Sequence, residues 1–240
     1  INPIPRQQIR AAVQEARQAS GLGSGLSLSV EVADGERIAA RTLNPRLGIV
    51  GGISILGTRG TVKPFSCASY EATITSAMDV ARAQSLETAA LSTGGRSERF
   101  LKDHHPGLPE ESFIQIADFF AFSLEQARLR GFSEVIIGCF FGKLVKMAQG
   151  HAYTHARSAE LDFPRLARWA QEQGLDQGRV NEIKGCNTAR QALGIVEDHP
   201  RSGAVLSEVT DRAMRAAGSH AGPAMPITLW VFDFDGRVLH

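Results

Sequence analysis

The sequence predicts an α/β protein: a mostly parallel, Rossmann-like sheet flanked by helices and preceded by the remainder of a smaller α+β domain. Three observations carry this. Short, almost continuously apolar runs recur at Thr88–Ser92, Phe113–Asp118 and Glu134–Gly138, with amphipathic stretches after them. Strands that are apolar on both faces and separated by helices belong to a parallel sheet covered on both sides. Residues 1–60 have a different texture and end in LNPRLGIVGGISILGTRG, which sets Gly48, Gly51, Gly52, Gly57 and Gly60 in an apolar framework. Glycine in such a stretch is expected where the chain turns with positive φ or another group comes close.

In chain order, Pro3 and Pro5 precede Ile9, Ala12, Val13 and Ala16, the spacing of one helical face, and Gly21 and Gly23 stop that helix. Leu26, Leu28, Val30 and Val32 alternate with Ser27, Ser29 and Glu31, which predicts a half-buried strand ending at an Asp34-Gly35 turn. Ser69 caps a helix whose inner face carries Ile74, Ala77, Met78 and Ala81. The run Thr88–Ser92 enters Thr93-Gly94-Gly95-Arg96-Ser97; Phe113–Asp118 leads into a helix over 119–130; and Glu134–Gly138 follows Gly131. Asp162 and Pro164 open a helix with Leu166 and Trp169 inward, helices follow over 179–196 and 204–217, and Ile227–Leu239 reads as a closing strand pair around Asp235-Gly236. The boundary falls at 60: residues 1–60 are the C-terminal part of the α+β domain with its glycine-rich junction, and 61–240 the Rossmann-like cofactor-binding domain. Because the chain opens at Ile1 without an initiator Met, an N-terminal piece is expected to be missing.

Composition narrows the function. With 43% hydrophobic and 21% charged residues and a net charge of +1, the chain has the balance of an ordinary globular protein. Basic excess and interleaved aromatics, the mark of nucleic-acid binding, are lacking at 7% aromatic residues. No apolar run approaches the roughly 20 residues needed to span a bilayer, and no signal peptide opens the sequence. A cytoplasmic protein with no nucleic-acid or membrane partner is expected. Cys67, Cys139 and Cys186 are odd in number and far apart, which suits small buried side chains and neither a disulfide framework nor a metal knuckle.

The turn at Thr93-Gly94-Gly95 lies just beyond the carboxyl end of a strand, where open α/β sheets bind ligands, and Asp118 ends the next strand, well placed to accept ribose hydroxyls. A βα turn with Gly-Gly and an Asp that caps a helix explain the same residues without a ligand. Gly138 to Leu144 imitates a phosphate loop, but its glycines stand too close and Leu144 replaces the magnesium-binding hydroxyl. Lys143 and Lys146 at the start of a helix suit an anionic ligand, or else are solvated lysines. His151 and His155 are spaced for one helix face but lack the glutamate and third ligand of a zinc site, so Thr154, His155 and Arg157 read as hydrogen-bonding groups. His104-His105 reads as a solvated loop. Phe232-Asp233-Phe234-Asp235-Gly236 mimics an aspartate-nucleophile phosphatase motif, yet the chain stops at His240 with no fold to follow; a turn at Asp235-Gly236 explains it better. No nucleophile elbow or acid/base pair stands out, which suits chemistry in which a cofactor carries the reactive group.

INPIPR at 1–6, LNPRLGIVGGISILGTRG at 43–60, ALSTGGRSE at 90–98, GKLVKMAQG at 142–150, THAR at 154–157 and NTA at 187–189 occur in the order seen in the cobalt-precorrin-5B C(1)-methyltransferases, the CbiD family of cobalamin biosynthesis, which this chain resembles over essentially its whole length. Two departures, the bulky Cys139-Phe140-Phe141 and the lack of an Asn before Thr154, bear on substrate selectivity. The resemblance implies S-adenosylmethionine as methyl donor and cobalt-precorrin-5B as acceptor, methylated at C-1 to cobalt-precorrin-6A. It assigns Thr93, Gly94, Gly95, Asp118 and Gly138 to the cofactor, and Gly51, Gly52, Lys143, Lys146, Thr154 and Arg157 to the substrate. His155 would take up a proton, cobalt would arrive inside the substrate with no protein metal site, and a homo-oligomer stays open. A nicotinamide-dependent oxidoreductase and a non-catalytic binding module are the alternatives, the first disfavoured by the absence of GxGxxG.

Overall fold

The computed structural model describes every residue except Leu22, Ser24, Leu43, Arg46, Leu47, 56–66 and His240, and among the described residues it has four strands and ten α-helices. Two compact units result, Ile1–Tyr70 and Glu71–His240.

In the first unit, helix α1 (Pro3–Ser20) starts with proline at its first position, where the missing N–H costs nothing, and stops at Gly21 with φ +66°. Pro5 is buried, Ile9 and Val13 half-buried, and the Asn2 N–H bonds Ile55 O at 3.0 Å. The strand expected over 26–32 is not formed. Leu26, Leu28, Val30 and Val32 are 42–60% exposed, and among the described residues no backbone hydrogen bond reaches residues 26–31. Alternation marks a strand only when a neighbour supplies the other half of the ladder. Asp34-Gly35 opens a short helix, α2 (Gly35–Ala39), instead of closing a strand. Gly57 and Gly60 lie outside the described residues; Gly51 and Gly52 belong to this first unit.

The second unit holds a wholly parallel sheet, β1 (Thr88–Ser92), β2 (Phe113–Gln115), β3 (Glu134–Phe140) and β4 (Ile227–Phe232), in the order β2-β1-β3-β4. Register aligns Leu91 with Ile137 and Ile137 with Leu229, so buried aliphatic side chains form a row across three strands. Helix α3 (Cys67–Ala83) buries Ile74, Met78 and Ala81. Helix α4 (Gly95–His104) links β1 to β2, and α5 (Phe120–Leu129) links β2 back across β1 to β3. Right-handed crossovers running in opposite directions put α4 and α5 on opposite faces. On the α4 side, Phe100 and Leu101 pack with Ala90, Phe113, Ile136 and Phe232. The other helices are α6 (Phe141–Ala148), α7 (Phe163–Glu172), α8 (Gln177–Lys184), α9 (Ala189–Glu197) and α10 (Ser202–Ala221), with α10 packed on α5, α6 and β4.

Several expectations are corrected. The helix over 179–196 is two helices, since Gly185 to Thr188 separates α8 from α9 and Thr188 Oγ1 caps the second by accepting the Gln191 N–H. The closing strand pair is one strand, β4, and an isolated bridge from Phe232 to Val238. His104 is the last residue of α4, and with His105 it packs on Trp230, ring centroids 4.8 and 5.1 Å away. Cys139 and Cys186 are buried but Cys67 is exposed. Among the described residues no helix is long and apolar enough to cross a membrane.

Candidate functional site

The strand order locates the site. From β1 the chain runs to one side of the sheet and from β3 to the other, so the topological switch point lies between the carboxyl ends of β1 and β3, where doubly wound sheets bind ligands. Thr93 and Gly94 leave one of these ends, Phe140 and Phe141 the other. A cavity of about 420 Å³, within the roughly 300–1,000 Å³ of ligand pockets, lies beside that point at the carboxyl ends of β3 and β4; it is built from the second unit alone, and Thr93, Gly94 and Gly95 are not among its lining residues.

One wall comes from α6. Phe141, Leu144, Val145, Met147 and Ala148 are buried, while Gly142, Lys143 and Lys146 are half-buried and, with Phe141, line the cavity. Opposite stands Asp118, just after Ala117, whose φ of +46° is unusual for a residue with a Cβ. Lys143 Nζ bonds Asp118 Oδ1, and Thr154 Oγ1 donates to the same oxygen at 3.2 Å. Among the described residues nothing donates to Asp118 Oδ2. Thr154 is fully buried; its N–H bonds the Asp118 carbonyl at 2.9 Å and its own carbonyl accepts Lys146 Nζ at 3.0 Å. Burial first, and then the charge of Lys143, pull the Lys146 ammonium below the ordinary lysine value, while Asp118 pushes it back.

His155 lines the cavity from a loop, with its ring stacked on Tyr153 at 5.9 Å and Tyr153 against Phe119 at 5.0 Å. Its Nδ1 accepts the Arg157 N–H at 3.2 Å, which places the ring proton on Nε2 and makes the imidazole a donor. His151 and His155 share no helix. Arg157 contributes this backbone N–H while its side chain is exposed.

The third wall is the end of β4 and the turn after it. Asp233 accepts the N–H groups of Asp235 and Arg237, each at 2.9 Å, and Arg237 Nε at 2.9 Å. Burial raises its carboxyl, but these donors outweigh that and hold it below the usual carboxylate range. A carboxylate so occupied is a turn former and not a nucleophile. Phe234 stacks on Phe140 with centroids 5.3 Å apart, and Arg190 of α9 lies over Phe234 at 5.2 Å.

Two family models match the sequence: CbiD over residues 1–64 and the C-terminal domain of CbiD over residues 153–240. The chain belongs to the CbiD family. A relative from Nitratidesulfovibrio vulgaris named cobalt-precorrin-5B C(1)-methyltransferase is 50% identical over 100% of this chain and 61% of its own length. Relatives of the same name from Geobacillus kaustophilus and Geobacillus thermodenitrificans are 41% and 39% identical over 100% of the chain and 64% of their own lengths. The chain thus spans somewhat under two thirds of the curated relatives it matches. No solved structure matches it.

Four of the six segments that carried the resemblance to the CbiD family lie in the second unit. ALSTGGRSE runs from β1 into α4, GKLVKMAQG is α6 and the turn after it, THAR is the loop that carries Thr154 and His155, and NTA leads into α9. Asp118, Lys143, Lys146 and His155 line one cavity, with Thr154 behind them. Thr93 and Gly94 sit at the β1 end of the switch point, and a Cβ on Gly94 would meet nothing within 4 Å, so packing does not demand glycine there. Gly138 lies within β3, where a Cβ would sit 3.2 Å from Leu101. Sequence reasoning missed Phe140, Phe234 and Arg190. Arg190 directly follows the NTA marker, and Phe234 belongs to the motif set aside as a turn.

Proposed function

We propose that this chain carries the catalytic unit of an S-adenosylmethionine-dependent methyltransferase that methylates C-1 of cobalt-precorrin-5B to give cobalt-precorrin-6A. The observation that carries the reading is identity along the whole chain, up to 50%, with proteins named for that reaction. The cavity suits it. Asp118 Oδ2 is ready to accept a hydroxyl, and Phe140 and Phe234 give the same cavity an apolar shelf.

When bound, S-adenosylmethionine supplies an electrophilic methyl group on a sulfonium. The chain's residues bind and orient around it. Lys143 and Thr154 hold the Asp118 carboxylate in one direction by sharing Oδ1, which leaves Oδ2 for a ribose hydroxyl. Lys146, which has no carboxylate partner among the described residues, and His155 through Nε2–H offer donors to acidic side chains of the macrocycle. His155 in this reading positions the acceptor, and the acceleration comes mainly from holding the nucleophilic ring carbon and the methyl in line.

Calorimetry separates this from the nicotinamide reading. S-adenosylhomocysteine should bind saturably and NADH should not, and Asp118→Asn should weaken the former. Methyl-labelled donor incubated with cobalt-precorrin-5B should then transfer its label. Binding of NADH alone, or bound donor with no transfer, would overturn the proposal.

A further inference from the structure

The charges around the cavity do not balance. Its two carboxylates are already matched, Asp118 by Lys143 and Asp233 by Arg237 and two N–H groups. Arg190 makes no hydrogen bond or ion pair among the described residues, although its guanidinium borders the cavity.

What holds Arg190 is an aromatic stack. Phe140 and Phe234 lie face to face, 11° from parallel. Arg96 from α4 reaches both rings, at 5.8 and 5.6 Å, and one of its N–H groups bonds the Phe234 carbonyl, fixing that residue's backbone. Arg190 covers Phe234 from α9. A guanidinium held over a ring face by a cation–π contact keeps its N–H groups available to grip a carboxylate with two parallel bonds. Stacking also limits its rotamers before a ligand arrives, which lowers the cost of binding. Phe234 itself is 40% exposed, an apolar surface at the rim of a cationic cavity.

We infer that Arg190, seated on Phe234, is the docking point for a peripheral carboxylate of the macrocyclic acceptor, with the exposed part of Phe234 packing against the ring framework beside it. This rests on the reading above that the acceptor is a polycarboxylate macrocycle. Arg96 is a positioning residue, since its bond to the Phe234 carbonyl sets the shelf and leaves Arg190 to meet the ligand.

The test uses cobyrinic acid, a corrin with free carboxylates, and its heptamethyl ester, in which they are masked. Binding of each is measured by corrin difference absorbance, and S-adenosylhomocysteine by calorimetry. The wild type should prefer the acid. Arg190→Gln should weaken acid binding about tenfold or more, as loss of a charge-assisted pair does, and narrow the preference by the same factor, with S-adenosylhomocysteine affinity unchanged. Arg190→Lys, keeping charge but not the fork, should recover only part. Arg190 is an exposed residue on α9, so the variant should fold, which a thermal melt checks. An Arg190→Gln protein that prefers the acid as strongly as the wild type does, or a wild type that binds acid and ester alike, overturns the docking point. A wild type that binds neither corrin overturns the macrocycle reading itself.

Discussion

Gly236 has φ +94°, and a Cβ built there would lie 2.6, 2.8 and 3.0 Å from three carbons of the Phe100 ring. That ring is 8% exposed and cannot swing aside freely, because Phe232 and Phe140 stand 5.6 and 6.3 Å away. Gly236→Ala therefore carries two costs: about 1–2 kcal/mol for a Cβ in left-handed backbone and about 1–3 kcal/mol for overpacking. The sum, about 2–5 kcal/mol, corresponds to a Tm lower by roughly 4–20 °C in a unit of this size. Urea denaturation of Gly236→Ala, Phe100→Leu and the double variant separates the terms. With the ring removed, alanine should cost only about 1–2 kcal/mol, the backbone part. A loss below about 0.5 kcal/mol in the parent, or an equal loss in both backgrounds, would refute the contact between the Asp233–Arg237 turn and Phe100.

Other substitutions test neighbouring claims. Gly138→Ala should cost about 1–3 kcal/mol in urea, because the new methyl meets Leu101, while leaving S-adenosylhomocysteine binding intact; lost binding in a stably folded variant would instead support the expected cofactor role of Gly138. Thr154→Val keeps the buried shape but removes the hydroxyl shared with Asp118 and Lys143, so it should lose about 1–3 kcal/mol and weaken S-adenosylhomocysteine in calorimetry. Asp233 has a folded pKa below its unfolded value of about 3.9, so its stabilisation is complete above that value and disappears as pH falls through the folded one. The Tm gap between wild type and Asp233→Asn should be level from neutral pH down to about 5 and narrow below 4; a gap that widens in acid would contradict the direction.

The parallel sheet was legible because each strand is an uninterrupted apolar run beside a helix, and β1 falls on the residues the pattern marks. The alternation of Leu26 to Val32 misled because period two reports side-chain texture and says nothing of a partner for the backbone. In the cavity, Asp118, Lys143 and Thr154 were each named, but for separate tasks. A residue's spacing in sequence does not show that strand ends bring a carboxylate and an ammonium together, so their pairing came only with the structure. The aromatic shelf was hidden for the same reason: Phe140, Arg190 and Phe234 come from three distant segments, and each alone reads as core or surface.

The chain leaves the sheet at Phe140 and returns only at Ile227, after five helices, to pair with the strand it left. Closing so long a loop is entropically costly, and pairings of such high sequence separation form slowly. The order of assembly follows. β1, β2 and β3, joined by short crossovers, can set the Gly94 turn and Asp118 early, whereas Phe232, Asp233 and Phe234 reach the cavity only when β4 docks. The pocket is thus finished by the most non-local contact of the sheet, and slowing β4 docking would delay binding competence more than helix formation.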